Sequence, residues 1–235
     1  MILNNRILAV IPARSGSKGI VNKNMRLLRG KSLIAHAAES LSKLDWIDRK
    51  IISTDSEIYA NEGKKFGLEV PFIRPTSISG DSSNAVEVIE HAIKESEEFF
   101  QMKFDIVLVI EPTSPLRKSE DIEETTMKLI YSNAYSAVTV SKINSQNHPN
   151  KVFEILNDRL NFFSLLGSEI RNRQELNDLY YRNGCCYAIF CEPFKKIKAI
   201  ISKDSIPVLI DRYVANIDEE IDLAWAEFLI TQEVQ

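Results

Sequence analysis

The sequence predicts an α/β fold, a mostly parallel sheet with helices packed on its faces. Three observations carry this. Apolar runs of strand length alternate with longer segments whose apolar residues recur at helical spacing. The opening cycle over residues 7–73 reads β-α-β-α-β, which implies parallel strands joined by crossover helices. The glycine-rich and polar stretches follow strand-like runs, where open α/β sheets bind their ligands.

Size and charge bound the function. The chain has 235 residues, 44% hydrophobic and 26% charged, with a net charge of −4. That suffices for a single domain, 1–235, carrying an insertion. The acidic balance argues against a protein that holds nucleic acid by bulk charge. No apolar run approaches the roughly 20 residues that span a bilayer, so no membrane association is expected. The amino-terminal residues lack a signal-peptide layout, so the expected location is cytoplasmic. Cys185, Cys186 and Cys191 are odd in number and form no Cys-x-x-Cys pair, which leaves them as buried small hydrophobes. His36, His91 and His148 have no metal-ligand spacing.

The elements follow in order. Residues 7–10 form a buried first strand. Ser32 caps a helix over 33–44, in which Leu33, Ala37, Ala38, Leu41 and Leu44 recur at helical spacing. Residues 51–55 are a strand ending in polar residues, 56–66 a helix stopped at Gly67, and 69–73 a short third strand. Residues 81–84 open a long helix reaching 101, with Ala85, Val88, Ile89, Ala92, Ile93 and Phe100 inward and 94–98 as its solvated face. Residues 105–110 are the clearest strand. A two-proline turn follows, then a helix over 120–131 and a strand over 137–141. The rhythm breaks over 142–182, where 151–156 and 160–163 flank Asn157-Asp158 as a hairpin. So small an element with Phe162 and Phe163 needs a partner surface, a second copy being one candidate. Strands at 185–190 and 207–210 and a closing amphipathic helix over 219–231 complete the chain. That helix carries Ile221, Leu223, Ala224, Trp225, Phe228 and Leu229.

The chemistry concentrates after the first strand. Residues 14–24 hold two glycines, two serines, one arginine and two lysines. Glycines let backbone amides approach closely, hydroxyls donate hydrogen bonds, and Arg14, Lys18 and Lys23 offset phosphate charge, so the loop suits a triphosphate. It matches neither the Walker A spacing nor the dinucleotide pattern Gly-x-Gly-x-x-Gly.

Ile11-Pro12-Ala13-Arg14-x-Gly16-Ser17-Lys18-Gly19-Ile20 with Lys23-Asn24 resembles the signature of the acylneuraminate cytidylyltransferases, the CMP-sialic acid synthetases. Further blocks agree in order and spacing: Ser53-Thr54-Asp55, Arg74-Pro75 with Asp81, Pro112 to Arg117, Arg173-Gln174, Asn183-Gly184 with Tyr187, and Asn216-Ile217-Asp218. The likeness runs over nearly the whole chain. It implies a Rossmann-like sheet, a homodimer held through the inserted segment 142–182, and transfer of CMP from CTP to a nine-carbon 2-keto acid sugar with release of pyrophosphate. It also implies residue roles. Arg14, Lys18 and Lys23 hold the phosphates, the first two acting in catalysis, with Ala13 and Ser17 beside them. Asn24, Arg74 and Ser82 address the cytidine. Glu111, Lys142, Arg173, Asn183 and Tyr187 line the sugar side, and Asp218 with Asn216 binds Mg²⁺. Two residues depart from the pattern. Glu111 stands where the family usually has Gln, which favours a relative of N-acetylneuraminate such as legionaminate, although Glu can also accept the same hydroxyls. Asn216 replaces the first of two acids and is a neutral oxygen ligand. A CMP-Kdo-type synthetase and a nucleotide-sugar-binding protein without catalysis are the alternatives. The anomeric hydroxyl must attack the α-phosphorus, so the protein's task is alignment and charge compensation.

Overall fold

The computed structural model describes residues 2–17, 19–80 and 83–232. A six-stranded sheet runs through it. Its strands are β1 (Ile7–Pro12), β4 (Arg49–Ser53), β5 (Ile106–Val109), β6 (Ser136–Lys142), β9 (Tyr180–Phe190) and β10 (Ser205–Leu209), in the spatial order β10-β6-β9-β5-β1-β4. β1 pairs in parallel with β4 and β5, and β10 with β6. β9 lies antiparallel between β5 and β6. The sheet is therefore mixed, and mostly parallel as the sequence predicts.

Alternation along β1 explains the layers. Ile7, Ala9 and Ile11 pack into one core cluster, which takes in Ile34, Ala37 and Leu41 of α1 (Leu33–Ser42), Tyr59 of α2 (Glu57–Lys65), and Ile122 and Leu129 of α4 (Ser119–Ile130). Leu8 and Val10 point the other way, onto Ile89, Ala92 and Ile93 of α3 (Ala85–Phe100) and Phe194 of α5 (Cys191–Ile197). Both faces of the strand are buried, hence its unbroken apolar run. α1 starts where expected: Ser32, in the small hairpin of β2 (Leu27–Leu28) and β3 (Lys31–Ser32), accepts from the Ala35 amide at 3.0 Å. Asn84 caps α3 in the same manner. The hairpin of β7 (Phe153–Leu156) and β8 (Arg159–Phe162) forms as predicted, with Asn157 and Asp158 at φ 52° and 59°, the left-handed pair that a two-residue turn demands. A third cluster joins Ile20, Leu28 and Leu33 to Ala215, Ile217 and Leu223. It seats the chain's tail, and α6 (Glu220–Thr231) behind it, beneath the glycine-rich loop.

Four expectations need correction. Residues 69–73 are not a sheet strand: they meet β4 through a single bridge, Ile51 to Glu69, because Pro71 has no amide to continue a ladder. The stretch 94–98 is not all solvated, since Ser96 and Glu97 are buried. Glu97 pairs with Lys103 at 2.6 Å and lies 3.6 Å from Lys195. Ala85 is exposed and Phe100 half-buried, the latter under the Arg49 guanidinium 4.4 Å from its ring centroid. In α6 Leu223, Ala226 and Leu229 are buried and Ile230 packs partly against the core, while Ile221, Ala224, Trp225 and Phe228 face outward. Trp225 stacks on Phe228 and meets Tyr213 edge-on. The three cysteines are buried, and burial pushes the Cys185 and Cys191 thiols up to about 11 and about 12. They are inert in that state. Among the described residues no helix is long and apolar enough to cross a membrane.

Candidate functional site

A cleft of about 550 Å³ opens beyond the carboxyl ends of β1 and β5. One wall is the loop after β1, contributing Arg14, Ser17, Gly19, Lys23 and Asn24. The floor is apolar, from Val88 and Ile89 of α3 and Val109 of β5. The far wall carries Glu111, Pro112, Thr113 and Tyr187, and Asp218 and Glu219 close one end.

The loop is braced at both ends. Asp55, just past β4, accepts from the Ser15 amide at 2.9 Å and the Ser15 hydroxyl at 2.8 Å. Asn24 donates to the Arg14 carbonyl at 3.1 Å, and the Ala13 amide to the Ser53 carbonyl at 2.9 Å. Ala13 is fully buried, so its part is to anchor the strand end. At the loop's close Lys23 Nζ lies 2.8 Å from Asp218 Oδ1, and Arg26 grips Glu220 with both terminal nitrogens at 2.6 and 2.8 Å. A Cβ on Gly19 would sit 2.5 Å from the Asp218 carbonyl oxygen, so only glycine fits there. The tail is fixed in turn by Asp222, which accepts from the Asp218 and Glu219 amides at 2.9 and 2.8 Å.

Arg74 is 4% exposed. Its Nε donates to Ser79 Oγ at 3.1 Å, and its amide to the Thr54 carbonyl at 2.8 Å. Its Nη2 is buried without a hydrogen-bond partner among the described residues. Burial lowers its affinity for the proton, opposed by Asp55. A buried donor left without a partner inside the protein calls for a ligand.

Glu111 is held by the turn that follows it. Arg117 is buried and donates to the carbonyls of Glu111, Gly184 and Cys185, and Ser114 Oγ donates to the Asn183 carbonyl at 2.6 Å. The turn is thus bolted to β9. The Val109–Tyr187 register puts Tyr187 beside Glu111, and its hydroxyl donates to the carboxylate. Burial pushes the Glu111 carboxyl above the ordinary carboxylate range, with Arg117, the Tyr187 bond and Arg182 pulling back and Asp218 adding to the rise. The Tyr187 phenol is raised as well, by burial and then by Glu111. Gly184 sits at φ +72°, and a Cβ there would overlap the Glu111 carboxylate and lie 2.7 Å from Ser114 Oγ.

Of the residues picked from sequence, Arg14, Ser17, Lys23, Asn24, Arg74, Glu111, Tyr187 and Asp218 line this one cleft. Lys18 and Ser82 lie outside the described residues. Three sugar-side residues do not reach it. Asn183 is fully buried, its amide donating to Ser141 Oγ at 2.9 Å and accepting from the Cys185 amide at 3.1 Å. Lys142 and Arg173 share a separate small cleft with His148, where Lys142 pairs with Asp178 at 2.5 Å. Asn216 is exposed on the tail, two residues from Asp218 and outside the cleft lining. Among the described residues no group of three or more His, Cys, Asp or Glu could hold a metal. Asp218 alone still fits Mg²⁺ when phosphate oxygens and water complete the shell, the usual way this ion is held beside nucleotides. Sequence reasoning marked Asp55 within the block Ser53-Thr54-Asp55 but gave it no role, and it missed the brace Asp222. Asp222 is an acid whose partners are backbone amides, and no spacing rule marks it.

Comparison with known proteins gives concordant results. Residues 8–195 match the model of a family described as cytidylyltransferase. The chain is 31% identical over 225 residues to a CMP-N,N'-diacetyllegionaminic acid synthase of Legionella pneumophila, covering 94% of both chains. It is 28% identical over 227 residues to an N-acylneuraminate cytidylyltransferase of Escherichia coli, of whose length it spans 52%. Among solved structures, a CMP:2-keto-3-deoxy-manno-octonic acid synthetase complexed with CTP superposes with a TM-score of 0.69 at 16% identity, covering 97% of this chain and 99% of the other.

Proposed function

Because the chain belongs to the cytidylyltransferase family, we propose that it transfers CMP from CTP to the anomeric hydroxyl of a nine-carbon 2-keto acid sugar, releasing pyrophosphate. One observation carries this reading. The braced glycine loop, Arg74, whose Nη2 has no partner among the described residues, and Asp218 all line one cleft, opposite a wall of half-buried carboxylate and buried phenol.

The division of labour follows from charge. Arg14, Lys18 and Lys23 take the triphosphate, with Ser17 donating beside them. Asn24, Arg74 and Ser82 take the cytidine. Asp218 would hold Mg²⁺ with the nucleotide supplying the other ligands, while Asn216 stands outside the cleft lining. When bound, the ion neutralises charge on the phosphates. Arg14 and Lys18 stabilise the charge that develops as the sugar oxygen bonds to the α-phosphorus and the bond to pyrophosphate breaks.

Glu111 and Tyr187 take the sugar. A carboxylate only accepts hydrogen bonds, whereas the glutamine amide also donates, so Glu111 selects donors on the sugar. This supports a legionaminate-type acceptor over N-acetylneuraminate, in line with the relative from Legionella pneumophila. Lys142 and Arg173 stand apart from the cleft of their own chain, beside the hairpin.

That hairpin supports a homodimer. Phe153, Ile155, Leu160, Phe162 and Phe163 are exposed on it or just after it, and Leu165 is 95% exposed. Such a surface buries itself against a second copy. A cytoplasmic location goes with CTP as substrate.

Pyrophosphate release tests the whole reading. With Mg²⁺ and a panel of 2-keto acid sugars, release is expected with CTP and a nine-carbon member, and not with UTP or GTP. Release only with the eight-carbon acid Kdo supports the nearest rival. CTP binding without release across the panel supports a binding protein.

A further inference from the structure

The seam between loop and tail carries an ion pair that the proposed chemistry must break. Beneath it, Ile20, Leu28, Ile217 and Leu223 form one buried cluster, and Gly19 is pressed against the Asp218 carbonyl. Above it, Arg26 grips Glu220, and Lys23 Nζ sits 2.8 Å from Asp218 Oδ1. The Lys23 side chain is only 16% exposed, whereas that of Asp218 is 69% exposed. A rigid seam thus presents an ammonium already docked on the carboxylate at the cleft mouth. Among the described residues the Asp218 carboxylate has no other side-chain partner, since Asp222 binds only its backbone amide.

We propose that Lys23 stands in for the metal in the empty protein: it neutralises the Asp218 carboxylate until cation and nucleotide arrive together, then moves to the phosphates. The inference rests on the functional reading above, which gives Asp218 to the metal and Lys23 to the nucleotide. A divalent cation arriving alone must displace an ammonium from its ligand. A nucleotide arriving alone must draw Lys23 away and leave Asp218 bare against a polyphosphate, in a cleft that also holds Glu111 and Glu219. Bound together, the two remove each other's penalty. The coupling is reciprocal, so each ligand tightens the other by the same factor. Arg26 and Glu220 keep the seam in register throughout.

Mn²⁺ is the probe, its free fraction read by electron paramagnetic resonance with and without CTP, in the absence of any sugar. Without nucleotide, Lys23→Met is expected to bind Mn²⁺ about two- to five-fold more tightly than the unmodified protein, the range of an exposed ion pair. With CTP present the gain should vanish or reverse. In an Asp218→Asn background, Lys23→Met should change nothing. Equal or weaker Mn²⁺ binding by Lys23→Met without nucleotide overturns the proposal, as does a gain that survives Asp218→Asn. Lys23→Gln is the second variant should the first fail to fold. Failure of the unmodified protein to bind CTP is a separate result, counting against the functional reading and leaving the nucleotide-free comparison intact.

Discussion

The cleft and the inserted arm are built on opposite terms. Around the cleft several charged side chains are braced by a distant partner: Asp55 by Ser15, Asp218 by Lys23, Glu111 by Tyr187, Arg117 by three carbonyls. In the arm, β7 and β8 pair only with each other, and every residue of both is exposed. Phe153 and Phe162 meet at 4.8 Å between centroids, and Phe162 rests on Gly167. The described walls of the cleft are thus braced from within the chain, whereas the arm's apolar surface looks for an outside partner. Changes in the first region should alter chemistry or folding, and changes in the second should alter assembly.

The largest expected effect falls on chemistry. Lys18→Ala should lower turnover about 100-fold or more at saturating CTP, the cost of one lost transition-state contact, while its melting curve stays near that of the unmodified protein. Near-normal turnover removes Lys18 from the reaction. Next comes Gly184→Ala. It combines a left-handed backbone with overlap on Glu111, and should cost about 2 kcal/mol or more in urea unfolding. An unchanged midpoint contradicts the packing of that wall.

A smaller and different effect is expected in the arm. Leu160→Glu with Phe163→Ser should weaken self-association about ten-fold or more in sedimentation, with far-ultraviolet circular dichroism unchanged. If the double variant stays a dimer, the pairing surface lies elsewhere. The subtlest effect is a pH dependence at Glu111. Its carboxyl is raised in the folded protein, so the folded state holds the proton more tightly than the unfolded chain. Stability from this group is present below the ordinary carboxylate range and declines as pH rises through the raised value. Glu111→Gln should therefore melt higher than the unmodified protein at pH 8, and the gain should shrink toward pH 4. A gain independent of pH means the carboxylate is not the source.

Much of this was legible in the residues, and the exceptions have physical causes. Periodicity located the core strands and helices because burial on two faces leaves a long apolar run, as in β1. It could not give the direction of β9, since an apolar run reads alike in either sense. It mistook residues 69–73 for a strand because Pro71 counts for little in hydropathy but decides pairing. It misread Glu97 because Lys103 and Lys195, which permit its burial, lie outside the window of one helix. It misread Trp225 and Phe228 because hydropathy cannot tell an inward apolar stripe from an outward one. In the site the loop announces itself through glycines and cations. Asp55 shows only as the end of the Ser53-Thr54-Asp55 block, and Asp222 stays silent, since the groups it holds are backbone amides.

The central claim is that the loop and tail take the nucleotide while the Glu111–Tyr187 wall takes the sugar. A solved complex with Mg²⁺ and CTP tests it most directly. The account predicts the triphosphate along residues 14–23, Lys23 parted from Asp218, and the metal between Asp218 and phosphate oxygens. A nucleotide bound outside this cleft, or one bound within it with the Lys23–Asp218 pair intact and the metal elsewhere, contradicts it.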